Sequence, residues 1–395
     1  MASLFYLGII LVLGAFMEWL SPKLRIPKVV GYLILGLVIG PEFLGIITNE
    51  FVEDSHIITE LSLSIIALLV GATIKFSELK KHAKEVVYIT LFQSFGTFLI
   101  VVLGISLVTL TMEFTLQQSL FIAFLLGAIA TATDTAAPLA IVQELKSKNE
   151  FTSTFLSIIA FDDAISLIFF TLVITFSSTF FTQSSFDWLS VFSSVSIVVL
   201  SILVGLVAGF VNILLEKLFY NHKGMETIST LGLIFIVYSL SEYWHLEPLL
   251  GSMVMGVVMV NLSKQFDIVE EEIDNHLVEI IFMLFFILSA MHLDISALNS
   301  LPLIIVGYIG FRVLGKVMGS YIGASLAKSS DSVKKYMGIA LLPQAGVAIG
   351  LSLSIQNITT FESIAPMILN VVIATTFVHE LIGPFFTRYA LLKVK

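Results

Sequence analysis

Asp134, the adjacent pair Asp162 and Asp163, Arg312 and Lys316 all stand deep inside long apolar runs, where charge is expensive. A carboxylate in such a place can hold a proton or a hard cation, and a lysine beside it can form an ion pair that a cation would break. One Asp with one Lys is explained equally well by an ion pair that merely joins helices. A second carboxylate next to the first adds nothing to packing, so the Asp162–Asp163 pair points to reversible ion or proton binding. On a helix, neighbouring side chains diverge by about 100°. One Asp can therefore meet a basic residue on another helix while the other faces a water-filled cavity. Arg312 stays charged at any accessible pH and suits a fixed counter-ion or the anchor of a helix end. Lys316 is the group able to give up its proton when a cation takes its partner.

Hydrophobic residues make up 57% of the 395-residue chain and charged residues 12%, about half the charged share of a soluble domain. Apolar runs of about 18 residues or more recur from end to end, enough to cross a bilayer core as helices. The ten-residue alternation of a membrane barrel is absent. The expected class is an all-α polytopic membrane protein. The first run, Leu4 to Leu20, reads as a span and not as a cleaved leader. With no cysteine, disulfides, thiol chemistry and Cys-ligated metals are excluded. No cofactor is expected and nothing suggests nucleic-acid binding.

Thirteen spans are predicted: 2–20, 29–47, 57–74, 86–111, 117–143, 151–181, 187–216, 225–244, 247–263, 275–292, 301–327, 333–356 and 362–389. Eighteen of the 20 Lys and Arg residues fall in alternate loops or at the C-terminal end; the other two are Arg312 and Lys316. Basic loops face the cytoplasm, which places the C-terminus inside and the N-terminus outside. Asp162 and Lys316 both lie about 11 residues from the cytoplasmic end of their spans, roughly 16 Å deep at 1.5 Å per residue, so they can meet at one level.

Two spans carry helix breakers at mid-depth. One contains Thr133-Asp134-Thr135-Ala136-Ala137-Pro138, the other Leu342-Pro343-Gln344-Ala345-Gly346. Seven spans apart, they run in opposite directions, and broken helices at matching places in inverted halves mark a transporter site at the midplane. Asp134 is placed to offset the positive end of a half-helix, and freed carbonyls with Thr133 offer oxygens to a cation. The expected plan is a first bundle from residues 1–83 and 221–298, a core bundle from 84–185 and 299–395, and a connecting helix at 186–220.

Arg25-Ile26-Pro27 followed by Val30-Gly31-Tyr32, Gly36 and Gly40-Pro41 resembles the second-span signature of the monovalent cation:proton antiporter-2 family. Thr133-Asp134 before a broken helix, Asp162-Asp163 and Lys316 complete the pattern. The resemblance covers essentially the whole chain. It implies about thirteen transmembrane helices in core and dimerisation bundles, inverted repeats with two crossing broken helices, and a homodimer in the plasma membrane whose core moves like an elevator. It implies electrogenic exchange of Na+, with Li+ or K+ as alternatives, for protons. Asp163 would bind cation or protons directly, Asp162 would pair with Lys316, and Thr133 and Asp134 would complete the site. The 395 residues do not include the cytosolic nucleotide-binding domain of the potassium-efflux branch, which is the alternative reading.

Arg312, Gln344, His379 and Glu380 are accessory candidates; the resemblance assigns no role to His379-Glu380. The acidic run Glu270 to Glu272 with Asp274 and His276 reads as a solvated loop. An intramembrane aspartyl protease would carry Gly-x-Gly-Asp, which is absent, so an enzyme is not expected. A passive channel would need neither the lysine nor the paired helix breaks.

Overall fold

The computed structural model describes every residue except 1, 113, 183–187, 219–223, 265, 267, 270–271, 274–276, 292–300, 357–363 and 395. Within its helix, Asp163 is described without its side chain. Sixteen helices are found among the described residues and no strand. They are α1 (Ala2–Lys23), α2 (Lys28–Ile39), α3 (Asn49–Asp54), α4 (His56–Ala72), α5 (Phe76–Thr111), α6 (Leu116–Ile129), α7 (Ala136–Leu145) and α8 (Glu150–Thr182). The second half contains α9 (Trp188–Leu218), α10 (Met225–Tyr243), α11 (Pro248–Leu262), α12 (Val278–Met291), α13 (Pro302–Ala327), α14 (Asp331–Ala340), α15 (Gly346–Gln356) and α16 (Ala365–Lys393). Six helical stretches, in α1, α5, α8, α9, α13 and α16, are long and apolar enough to cross a membrane by length and composition; six shorter apolar helices accompany them.

Two helix ends differ from the sequence reading. Helix α2 stops at Ile39, short of residue 47, because Gly40 turns to an extended conformation ahead of Pro41, which disfavours helical geometry in the residue before it. Helix α5 begins at Phe76, ten residues before 86. Its first turns, Glu78-Leu79-Lys80-Lys81-His82-Ala83-Lys84-Glu85, are rich in good helix formers, so the helix continues into a segment read as a loop.

The chain divides into two compact units. The first comprises Met1–Lys81, Leu139–Leu145 and Ser196–His292. There Lys28 Nζ bridges Glu18 at 2.7 Å and Glu279 at 3.2 Å, and its backbone N–H donates to Glu144. Of the acidic run, Glu272 accepts from Thr227; Glu270, Glu271, Asp274 and His276 lie outside the described residues.

The second unit comprises His82–Pro138, Lys146–Val195 and Leu293–Lys395. Its core is built from apolar faces of α5, α6, α8, α13, α15 and α16, including Val101, Ile122, Leu126, Phe170, Ile355 and Val372. Helix α6 starts with a reciprocal cap between Thr115 and Gln118 and α14 with Ser330, whose Oγ accepts from Val333 N at 3.4 Å. Helices α5 and α13 touch backbone to backbone. A Cβ added at Gly319 would fall 2.7 Å from Gln93 Cα, too close for any larger residue without movement. On another face of α13, a Cβ at Gly338 of α14 would lie 2.8 Å from Lys316 O. Helix α13 thus abuts the backbone of α5 at Gly319 and that of α14 at Lys316.

Candidate functional site

Both proline-containing segments of the second unit are true breaks. Helix α6 ends at Ile129 and α7 begins at Ala136; α14 ends at Ala340 and α15 begins at Gly346. The two non-helical stretches meet where Asp134 N donates to Pro343 O at 3.1 Å. A break leaves backbone donors at each helix start and carbonyls at each helix end without intrahelical partners, and in an apolar interior each must be satisfied or offset.

Asp134 satisfies the start of α7. Its Oδ1 accepts from Ala136 N at 3.0 Å and its Oδ2 from Ala137 N at 2.9 Å, the geometry of an N-cap carboxylate at the positive end of a helix. Arg312, fully buried on α13, takes the carbonyls. Nε donates to Ala130 O (3.1 Å), Nη2 to Ala132 O (2.8 Å) and Pro343 O (3.3 Å), and Nη1 to Leu342 O (2.6 Å). One guanidinium thereby bonds both breaks, which a lysine could not do with the same planar set of donors. Gln344 adds a further tie, its Nε2 donating to Ile129 O at 3.2 Å and Tyr308 Oη at 3.0 Å.

One turn along α13, Lys316 Nζ donates to Thr131 O at 2.6 Å, Thr133 Oγ1 at 2.6 Å and Asp162 Oδ2 at 3.2 Å. Asp162, on α8, is wholly buried, as is Lys316. Its Oδ2 also accepts from Thr133 Oγ1. Its Oδ1 accepts from Gln93 Nε2 and from Ser94 Oγ, the latter at 3.2 Å. Asp162 therefore receives four side-chain donors, from α5, from the α6–α7 break and from α13. These bonds meet the hydrogen-bonding demand of a buried carboxylate.

Asp163 follows in α8; its side chain lies outside the described residues. His379 and Glu380 on α16 are buried. His379 Nδ1 donates to Thr375 O at 2.7 Å, and its ring meets Tyr308 edge-on. The structure thus brings Thr133, Asp162 and Lys316 into contact, bonds Arg312 to both helix breaks, on which Asp134 and Gln344 lie, and buries His379 and Glu380 on α16. Two residues that sequence reasoning missed, Gln93 and Ser94, bond Asp162. Nothing in the chain marks them, since a neutral Gln-Ser pair in an apolar helix violates no expectation. Among the described residues there is no group of three or more His, Asp or Glu that could hold a metal ion.

A family model described as "Sodium/hydrogen exchanger, transmembrane" matches residues 8–389. The chain belongs to the sodium/hydrogen exchanger family, whose members are multi-pass membrane transporters and not enzymes. It is 25% identical to a Na(+)/H(+) antiporter of Enterococcus hirae over 97% of both chains. It is also 32% identical to Na(+)/H(+) antiporter 1 of Methanocaldococcus jannaschii over 169 residues, 42% of this chain and 38% of that protein. In fold it is similar to the sodium proton antiporter MjNhaP1 of the same archaeon, with a TM-score of 0.78 and 20% identity over 100% of this chain and 98% of that one. The match supports a monovalent cation:proton antiporter family; the antiporter-2 label read from the sequence is imprecise.

Proposed function

We propose that this chain exchanges Na+ for H+ across the plasma membrane, by a cycle in which the cation and protons compete for Asp163. The observation that carries this reading is the saturation of Asp162. With four donors already on its oxygens, Asp162 is committed to the protein's own groups, and its neighbour in α8 is the carboxylate left to the ion. The balance of charge supports the same reading. Asp134, Asp162, Asp163 and Glu380 stand against Arg312 and Lys316, an excess of carboxyl groups that only a bound cation or protons can offset in an apolar interior. Lys316 is the switch: its ammonium shares Thr133 with Asp162, so a cation drawn to this edge of the site weakens its hold and favours release of its proton.

Thr133 supplies the oxygen common to both partners, and Asp134 acts as the cap of α7 and not as a direct ligand. The protein works as a homodimer with its C-terminus cytoplasmic, the side to which the basic loops belong. Electrogenic exchange is the mode that the resemblance implies for a chain with paired aspartates and a distant lysine.

The test is Na+-induced dissipation of a pH gradient in proteoliposomes. Wild type collapses the gradient and Asp163→Asn does not; an active Asp163→Asn variant rules the assignment out.

A further inference from the structure

Of the polar atoms on the four side chains that touch Asp162, Gln93 Oε1 alone lacks a hydrogen-bond partner among the described residues. Ser94 Oγ accepts from Gln93 at 2.9 Å, Thr133 Oγ1 accepts from Lys316, and Lys316 Nζ donates three times. Gln93 is fully buried. The orientation of its amide is fixed, because Nε2 must donate to Asp162 Oδ1 and Ser94 Oγ and an oxygen in that position would face a carboxylate. The carbonyl end is therefore committed to a buried location where no donor is found among the described residues, a costly arrangement unless something else meets it there.

Two more oxygens share this condition. Ser166 lies one turn along α8 from Asp162 and Ser320 one turn along α13 from Lys316; both are fully buried and their hydroxyls have no partner among the described residues. Thr90, Thr97, Thr109 and Thr375 of the same unit each donate to the carbonyl four residues earlier, whereas the hydroxyls of Ser106, Ser119, Thr154, Ser329 and Thr376 also lack a partner among the described residues. Ser166 and Ser320 are set apart by lying one turn from the Asp162–Lys316 pair. Ser320 also follows Gly319, the residue at which α13 abuts the Gln93 backbone. Three helices thus each bring one uncommitted oxygen to within a turn of the Asp162–Lys316 pair. Oxygens of neutral amides and hydroxyls are ligands for hard cations and for the water that such cations retain.

We propose that Gln93 is a specificity-determining residue of the exchange: its NH2 fixes Asp162, and its carbonyl oxygen, with the Ser166 and Ser320 hydroxyls, receives the cation and its residual water. This rests on the assignment of Asp163 as the carrier and extends it to the neutral part of the binding site. A carboxylate alone attracts any monovalent cation; neutral oxygens at fixed positions discriminate by ion size.

The experiment measures initial exchange rates in proteoliposomes against Na+ and, separately, Li+, for wild type, Asp163→Asn, Gln93→Leu, Gln93→Asn and Ser320→Ala. Gln93→Leu raises KM for Na+ about tenfold with kcat changed much less, the pattern of lost binding of the ion, and alters the Na+/Li+ preference. Gln93→Asn, which keeps the amide, recovers part of the affinity, and Ser320→Ala shifts KM in the same direction as Gln93→Leu. An unchanged KM and an unchanged ion preference in Gln93→Leu overturn the proposal. If Gln93→Leu does not yield folded protein, Gln93→Asn decides on the same two readouts, because its shortened amide cannot reach both Asp162 and the ion. An active Asp163→Asn variant would instead overturn the underlying assignment, so the two failures are told apart.

Discussion

Lys316 Nζ lies 3.2 Å from Asp162 Oδ2, farther than from either threonine oxygen it bonds, each at 2.6 Å. The ammonium is therefore held by the α6–α7 break at least as firmly as by its counter-ion, and Asp162 in turn keeps three donors that do not depend on the lysine. The pair is built to be separated without either member being abandoned.

Lys316→Ala should accordingly be tolerated better than the loss of one partner from an isolated buried pair. Breaking such a pair costs about 3 to 5 kcal/mol; with Gln93, Ser94 and Thr133 still bonded to Asp162, the loss should fall at the lower end, about 3 kcal/mol. Thermal unfolding in detergent measures it. Transport by the variant should show altered charge movement per Na+ or a displaced pH profile in proteoliposomes with the membrane potential clamped and free. A variant identical to wild type in both respects would leave Lys316 with a structural role only.

Arg312 has the opposite character. Its guanidinium bonds four carbonyls across the two breaks, and each buried carbonyl left unpaired costs about 1 to 3 kcal/mol. Arg312→Gln should thus destabilise the protein more than Lys316→Ala does, and Arg312→Lys should recover only part of the loss, since an ammonium cannot reproduce the planar fork. Comparing the three melting temperatures under one detergent condition checks the order; equal stability of Arg312→Gln and wild type would contradict it.

Asp134 separates capping from charge. Asp134→Asn keeps an oxygen acceptor for the start of α7, whereas Asp134→Ala removes it, a loss of about 1 kcal/mol in stability. Unfolding of the two variants should rank wild type above Asn and Asn above Ala. If Asn falls as far as Ala, the carboxylate charge against the helix end, and not the hydrogen bonds to Ala136 and Ala137, is what matters.

The helical class and both breaks could be read from the chain because they depend on local signals: long apolar runs, and proline or glycine inside them. Asp162, Arg312 and Lys316 stood out because a charge in an apolar run is conspicuous. Their partners did not. The carbonyls that Arg312 binds are backbone atoms with no sequence signature, and Gln93 is an ordinary residue until α13 packs at glycine distance beside it and aligns it with Asp162. The helical start of α5 was hidden for a similar reason, since charge among good helix formers describes a helix leaving an apolar environment as well as it describes a loop.

The competition at Asp163 is tested most directly by the pH dependence of KM for Na+. In proteoliposomes carrying wild-type protein, KM should climb as the pH falls, approaching about tenfold per pH unit for each proton that must leave before the ion binds, while the maximal rate at saturating Na+ holds nearly constant. A KM that stays flat across the acid range, with the maximal rate falling in its place, would mean that ion and proton occupy different groups.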